Sequence, residues 1–120
     1  MADKKLTLME MAILDGVLKT MNADGVAERY DVGPYCRQIV SDYDAAGPTL
    51  WTEATTRNYA DTIEALVDDG YLAWKTYVLQ ITLTDKGKKL IADNQKEMDN
   101  LPQVDDSRDW FKKQNKRMAL

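Results

Sequence analysis

Three observations predict a mainly helical fold with one short β-hairpin. Apolar residues recur at helical spacing in four separate stretches. Between the third and fourth lie two short runs rich in aromatic and β-branched residues, the composition of paired strands. Turn-forming Gly, Pro, Asn and Asp punctuate the boundaries. The order is clearest over residues 53–91. A helix closes at Asp68-Asp69-Gly70, the runs 71–74 and 78–83 follow, and Asp85-Lys86-Gly87-Lys88-Lys89-Leu90-Ile91 opens another helix.

The first helix is expected over 7–21, with Met9, Ile13, Leu14, Val17, Leu18 and Met21 as its apolar stripe. Gly16 costs that helix stability unless another backbone approaches it. Asn22-Ala23-Asp24-Gly25 stops it. A second helix is expected over 33–43, with Pro34 in its first turn and Cys36, Ile39, Val40 and Tyr43 on one side; the turn residues 44–48 end it. Thr52 is the expected N-cap of a third helix running to 69, and Gly70 supplies the left-handed residue that closes it.

On this third helix, Tyr59, Ile63, Leu66 and Val67 share one face, while Arg57, Asn58, Asp61, Ala65 and Asp68 share the opposite one. The first set is expected in the core, and the second is free for a partner. The hairpin turns at 75–77, and Thr84 caps a fourth helix. That helix carries the stripe Leu90, Ile91, Met98 and Leu101, interrupted by Asn94 and ended by Pro102. A short helix over 106–118 would carry Trp110, Phe111 and Met118 beside Arg108, Lys112, Lys113, Lys116 and Arg117.

With 120 residues the chain is expected to form one domain over 1–100 and a helical C-terminal extension over 101–120. Hydrophobic residues are 44% and charged residues 30%, an ordinary globular balance. No apolar run spans a bilayer and the N-terminal residues lack the apolar segment of a signal peptide, so a cytoplasmic protein without membrane contact is expected. The chain has no histidine, which removes the commonest general base and metal ligand. Its one cysteine, Cys36, reads as a small buried hydrophobe. No catalytic pairing, metal set or cofactor motif is present in the sequence, and an enzyme is not expected.

Leu66-Val67-Asp68-Asp69-Gly70-Tyr71-Leu72, followed by Ile81-Thr82-Leu83-Thr84-Asp85-Lys86-Gly87-Lys88-Lys89-Leu90, resembles the recognition-helix end, wing and following helix of winged helix-turn-helix transcription regulators of the PadR-like and MarR-like kinds. Residues 6–14 are similar to the opening helix of PadR-like proteins, and Leu50-Trp51 with Tyr59 is similar to their turn before the recognition helix. The likeness covers roughly the first 100 positions as pattern rather than identity. It implies a homodimeric, DNA-binding regulator of transcription whose third helix enters the major groove and whose wing meets the backbone. Thr55, Thr56, Arg57, Asn58 and Asp61 would then face double-stranded DNA, with Arg57 suited to guanine and Asn58 to adenine, and Lys75 would meet phosphate. Leu90, Ile91, Met98, Leu101, Trp110 and Phe111 would form the dimer contact.

Charge supports a second reading. Residues 1–84 hold 7 basic and 13 acidic residues, net −6, whereas 85–120 hold 9 and 7, net +2. The third helix sets Asp61, Glu64, Asp68 and Asp69 against Arg57, and a phosphate-facing surface usually clusters Lys and Arg. An acidic winged-helix module that binds a basic protein in place of DNA is therefore the alternative. An ordinary solvated helix face is the plain reading of the same residues.

Overall fold

The computed structural model describes residues 5–43, 52–75 and 79–102. In chain order these form α1 (Leu8–Thr20), β1 (Val26–Glu28), α2 (Arg29–Tyr43), α3 (Glu53–Asp68), β2 (Leu72–Trp74), β3 (Gln80–Leu83), α4 (Asp85–Asp93) and α5 (Gln95–Met98). The chain is mainly helical with a small antiparallel sheet, as expected, but the sheet has three strands in the order β1-β3-β2. The expected helix over 106–118, residues 76 and 77 of the expected hairpin turn, the turn at 44–48 and Trp51 lie outside the described residues.

α1 starts at a capping box: the Thr7 hydroxyl accepts from the Glu10 N–H at 3.1 Å, and the Glu10 carboxylate accepts from the Thr7 N–H at 2.9 Å. Its expected apolar stripe is its buried face, with Met9, Ile13, Leu14 and Val17 in the core. What lies close to Gly16 is a set of α2 side chains rather than a backbone. A Cβ there would sit 3.2 Å from Val32 Cγ1 and 3.4 Å from Tyr35 Cδ1. Beside this crossing, the Tyr35 hydroxyl donates to Asp15 Oδ2 at 2.6 Å, which joins α2 to α1.

The turn after α1 is built by Asn22, whose Oδ1 accepts from the N–H groups of Asp24 and Val26. It delivers β1, which the sequence did not predict, and α2 then begins at Arg29 rather than at 33. Three residues are too few to show alternation, and their partners are distant in sequence: Val26 pairs with Thr82, Ala27 with Ile81 and Glu28 with Gln80. Pro34 consequently lies more than a turn inside α2, where it has no N–H for the Tyr30 carbonyl. Cys36 is fully buried, and burial pushes its thiol far above the ordinary range, so it is an inert core residue. Tyr43, expected on the apolar side, is instead 52% exposed on the last turn of α2.

One carboxylate is buried at the start of α2. Burial, and secondarily the Glu28 carboxylate, raise the pKa of Asp31. A raised folded-state pKa means that the native state binds the proton more tightly than the unfolded chain. Stability from this group therefore rises as pH falls through the carboxylate range. Asp31→Asn is expected to melt higher than the parent at pH 7, and the difference should shrink as pH falls and vanish below about pH 4. A thermal melt at both pH values checks this, and a variant that melts lower at pH 7 would refute it.

The hairpin pairs Leu72 with Leu83, Ala73 with Thr82 and Trp74 with Ile81, and the Lys75 N–H closes it onto the Gln80 carbonyl at 2.9 Å. Leu72, Ile81 and Leu83 point into the core with Ile13, Leu14, Ile39, Ile63 and Leu66. The single fourth helix expected to run as far as Pro102 is instead divided at Asn94, the polar residue within its stripe, into α4 and α5. Buried Asn94 donates from Nδ2 to the Leu90 carbonyl at 2.9 Å. Among the described residues, no helix is long and apolar enough to cross a membrane.

Candidate functional site

α3 begins where Thr52 caps it. The Thr52 hydroxyl accepts from the Thr55 N–H at 3.2 Å, and the Thr55 hydroxyl lies 3.0 Å from that of Thr52. Tyr59, Ile63 and Leu66 are buried, and Val67 is half-buried. The opposite face is open: Arg57, Asn58, Asp61, Glu64, Ala65 and Asp68 are all exposed, which matches the division read from helical spacing.

At its far end α3 is fixed. Gly70 adopts φ +85°, which lets the Tyr71 N–H return to the Leu66 carbonyl at 2.9 Å. Lys86, on α4, donates from Nζ to the Asp69 carbonyl at 2.6 Å and lies 4.7 Å from the centre of the Tyr71 ring. The Thr84 hydroxyl contacts the carbonyls of Gly70 (2.6 Å) and Tyr71 (2.9 Å) and accepts from the Gly87 N–H at 3.0 Å. The end of α3, the start of β2 and the start of α4 thus share one hydrogen-bonded node. Thr84 was legible as a cap, but Lys86 was not legible as a clamp, because its partner is seventeen residues away.

Thr55 and Thr56 are partly committed. The Thr55 hydroxyl belongs to the cap, and the Thr56 hydroxyl donates back to the Thr52 carbonyl at 3.2 Å. The Thr62 hydroxyl donates to the Asn58 carbonyl at 2.6 Å and lies 3.3 Å from Asn58 Oδ1, which orients that amide. Arg57 makes no recorded ion pair among the described residues, although Glu53 and Asp61 stand one turn to either side of it. Lys75 is exposed at the end of β2. Nearby, the Arg29 guanidinium lies 5.7 Å from the centre of the Trp74 ring, and the Arg29 N–H donates to the carbonyl of exposed Leu79 at 2.8 Å.

Thr55, Asn58 and Asp61 also line one wall of an open groove of about 690 Å³ between α3 and the first turn of α1. Leu8, Met9, Val40 and Ala65 supply its apolar lining, and Lys5 stands on the α1 side. Sequence periodicity on one helix could not reveal this groove, because its two walls are about fifty residues apart.

The residues expected to make a dimer contact are placed differently. Leu90, Ile91, Met98 and Leu101 are each 6% exposed and belong to the chain's own core. A narrow apolar stripe on a helix next to the sheet is satisfied by packing inward, and these four side chains offer little area to a second copy. Trp110 and Phe111 lie outside the described residues. Among the described residues no group of three or more Cys, Asp or Glu could hold a metal ion. No family model, no curated protein and no solved structure matches this chain.

Proposed function

We propose that the chain is a winged helix-turn-helix module that regulates transcription by binding duplex DNA, with the exposed face of α3 in the major groove and the β2–β3 hairpin on the phosphate backbone. The observation that carries this reading is the order α1-β1-α2-α3-β2-β3, with β3 between β1 and β2, because it backs α3 onto the core and leaves its outer face unpartnered. On that face Arg57 and Asn58 have the donors and acceptors for purine edges, and exposed Lys75 directly follows β2 in the hairpin that forms the wing. The reading concerns one copy on one half-site, and a twofold dimer would repeat it at one helical turn of DNA.

Fluorescence anisotropy on duplex DNA across a salt series tests it. Arg57→Ala is expected to weaken binding by about tenfold or more. Lys75→Ala is expected to lower the log–log salt slope by about 1 without changing sequence preference. Binding unchanged in the double variant would refute these assignments.

The second reading is a protein-binding winged helix, and the exposed carboxylates of Glu53, Asp61, Glu64, Asp68 and Asp69 around Arg57 favour it. They give the outer face of α3 a net negative charge, which repels phosphate and attracts a basic partner.

A further inference from the structure

We propose that Arg29 is a positioning residue of the binding surface: it ties α3 to the β2–β3 hairpin and so fixes the spacing between the helix that reads the groove and the wing that meets the backbone. The role rests on the DNA-binding function proposed above and deepens it.

Arg29 is the first residue of α2 and directly follows β1. Its polar groups reach in two directions. Toward the hairpin, its N–H donates to the Leu79 carbonyl at 2.8 Å, and its guanidinium stands 5.7 Å from the centre of the Trp74 ring on β2. Toward α3, its carbonyl accepts from the Tyr59 hydroxyl at 3.4 Å. Burial raises the Tyr59 pKa, and the Arg29 guanidinium works against that rise through its charge and a side-chain hydrogen bond. The Tyr59 ring also closes on the first turns of α2, where a Cβ at Gly33 would lie 3.6 Å from its hydroxyl.

The two side chains that Arg29 holds are the immediate neighbours of the proposed contacts. Tyr59 follows Arg57 and Asn58 on α3, and Trp74 precedes Lys75 in the hairpin. The node of Gly70, Thr84 and Lys86 anchors only the far end of α3, where Lys86 Nζ meets the Asp69 carbonyl. From there to Tyr59 the helix runs roughly 15 Å at 1.5 Å per residue. A helix fixed at one end can swing at the other, and Arg29 supplies a second fixed point that is shared with the wing. Sequence periodicity could not reveal it, because Arg29 lies thirty residues from Tyr59 and further still from Trp74.

Two measurements test the role, the first without DNA. Nitroxide labels on Glu64→Cys in α3 and Lys75→Cys in the hairpin, both exposed positions, report the spacing by double electron–electron resonance, and buried Cys36 stays unlabelled. The expected result is a narrow distance distribution in the parent and a broader one in Arg29→Met. Tyr59→Phe, which removes one hydroxyl and keeps the ring in the core, is expected to broaden it too and replaces Arg29→Met if that variant does not fold. In the anisotropy assay, Arg29→Met is expected to weaken duplex binding several-fold and to shrink the loss caused by Lys75→Ala, because a wing no longer held against α3 makes its contact less often. An unchanged distance distribution in both variants overturns the tether. A Lys75→Ala loss of equal size in both backgrounds overturns the positioning role, since additivity marks independent contacts. Where the parent itself binds no duplex, the regulator reading fails, and the label distances still decide whether Arg29 holds α3 to the hairpin.

Discussion

Gly87→Ala is expected to destabilise the protein by about 3 kcal/mol or more, the upper range of single overpacking substitutions. Gly87 lies in the first turn of α4, where its N–H donates to the Thr84 hydroxyl. A Cβ at this position would overlap the Tyr71 carbonyl oxygen and approach Leu83 Cδ1 to 2.8 Å. The carbonyl is held in place, because it accepts from the Thr84 N–H at 3.2 Å and from the Thr84 hydroxyl at 2.9 Å, and its residue directly precedes the strand paired with β3. The added methyl therefore pushes α4 off the sheet and opens the node at the end of α3. A urea melt of Gly87→Ala beside Lys88→Ala, one residue further along and exposed, measures the difference. Near-equal midpoints would mean that α4 does not approach β2 as closely as described.

Reversing charge on the outer face of α3 is expected to have the largest effect on binding, and its sign separates the two functional readings. Asp61 and Asp68 are exposed two turns apart on the same side of the helix. If α3 enters a DNA groove, Asp61→Lys with Asp68→Lys removes two repulsions and adds two cations near the backbone. Affinity should rise on the order of tenfold at low ionic strength, with a salt slope steeper by up to about 2. If the acidic face is the working surface for a basic protein, the same variant loses its partner. Weaker DNA binding in the reversed variant would argue against α3 as the groove-facing element. Neither substitution touches the core, so stability should stay within about 0.5 kcal/mol of the parent.

The parts of this fold legible in the sequence are those whose causes are local. Thr52, Thr84 and Gly70 announce their roles because a cap and a left-handed closing residue act within four or five positions. The two faces of α3 follow from spacing alone. β1 was illegible because the residues that make it a strand are Gln80, Ile81 and Thr82, far along the chain. The outward stripe assigned to Leu90, Ile91, Met98 and Leu101 shows the limit of periodicity: it identifies an apolar face but not what covers it. Thr55 illustrates a different loss. A Thr-x-x-Thr pair lacks the glutamate of the usual capping box, so its hydroxyl looked available when it was already bonded. The groove was out of reach, since it exists only after α1 and α3 have packed.

The pairing of β1 with β3 also governs how the molecule assembles. A hairpin closed only on itself could form early and act as a detachable appendage. Here its middle strand is shared with residues 26–28, which lie more than fifty positions earlier in the chain. Closing a loop of that length is slow and brings no reward until α2 and α3 have folded within it. The β1–β3 edge is therefore the long-range closure of the sheet, in contrast to the local β2–β3 pairing, and a fragment that starts after residue 28 lacks one side of the central strand.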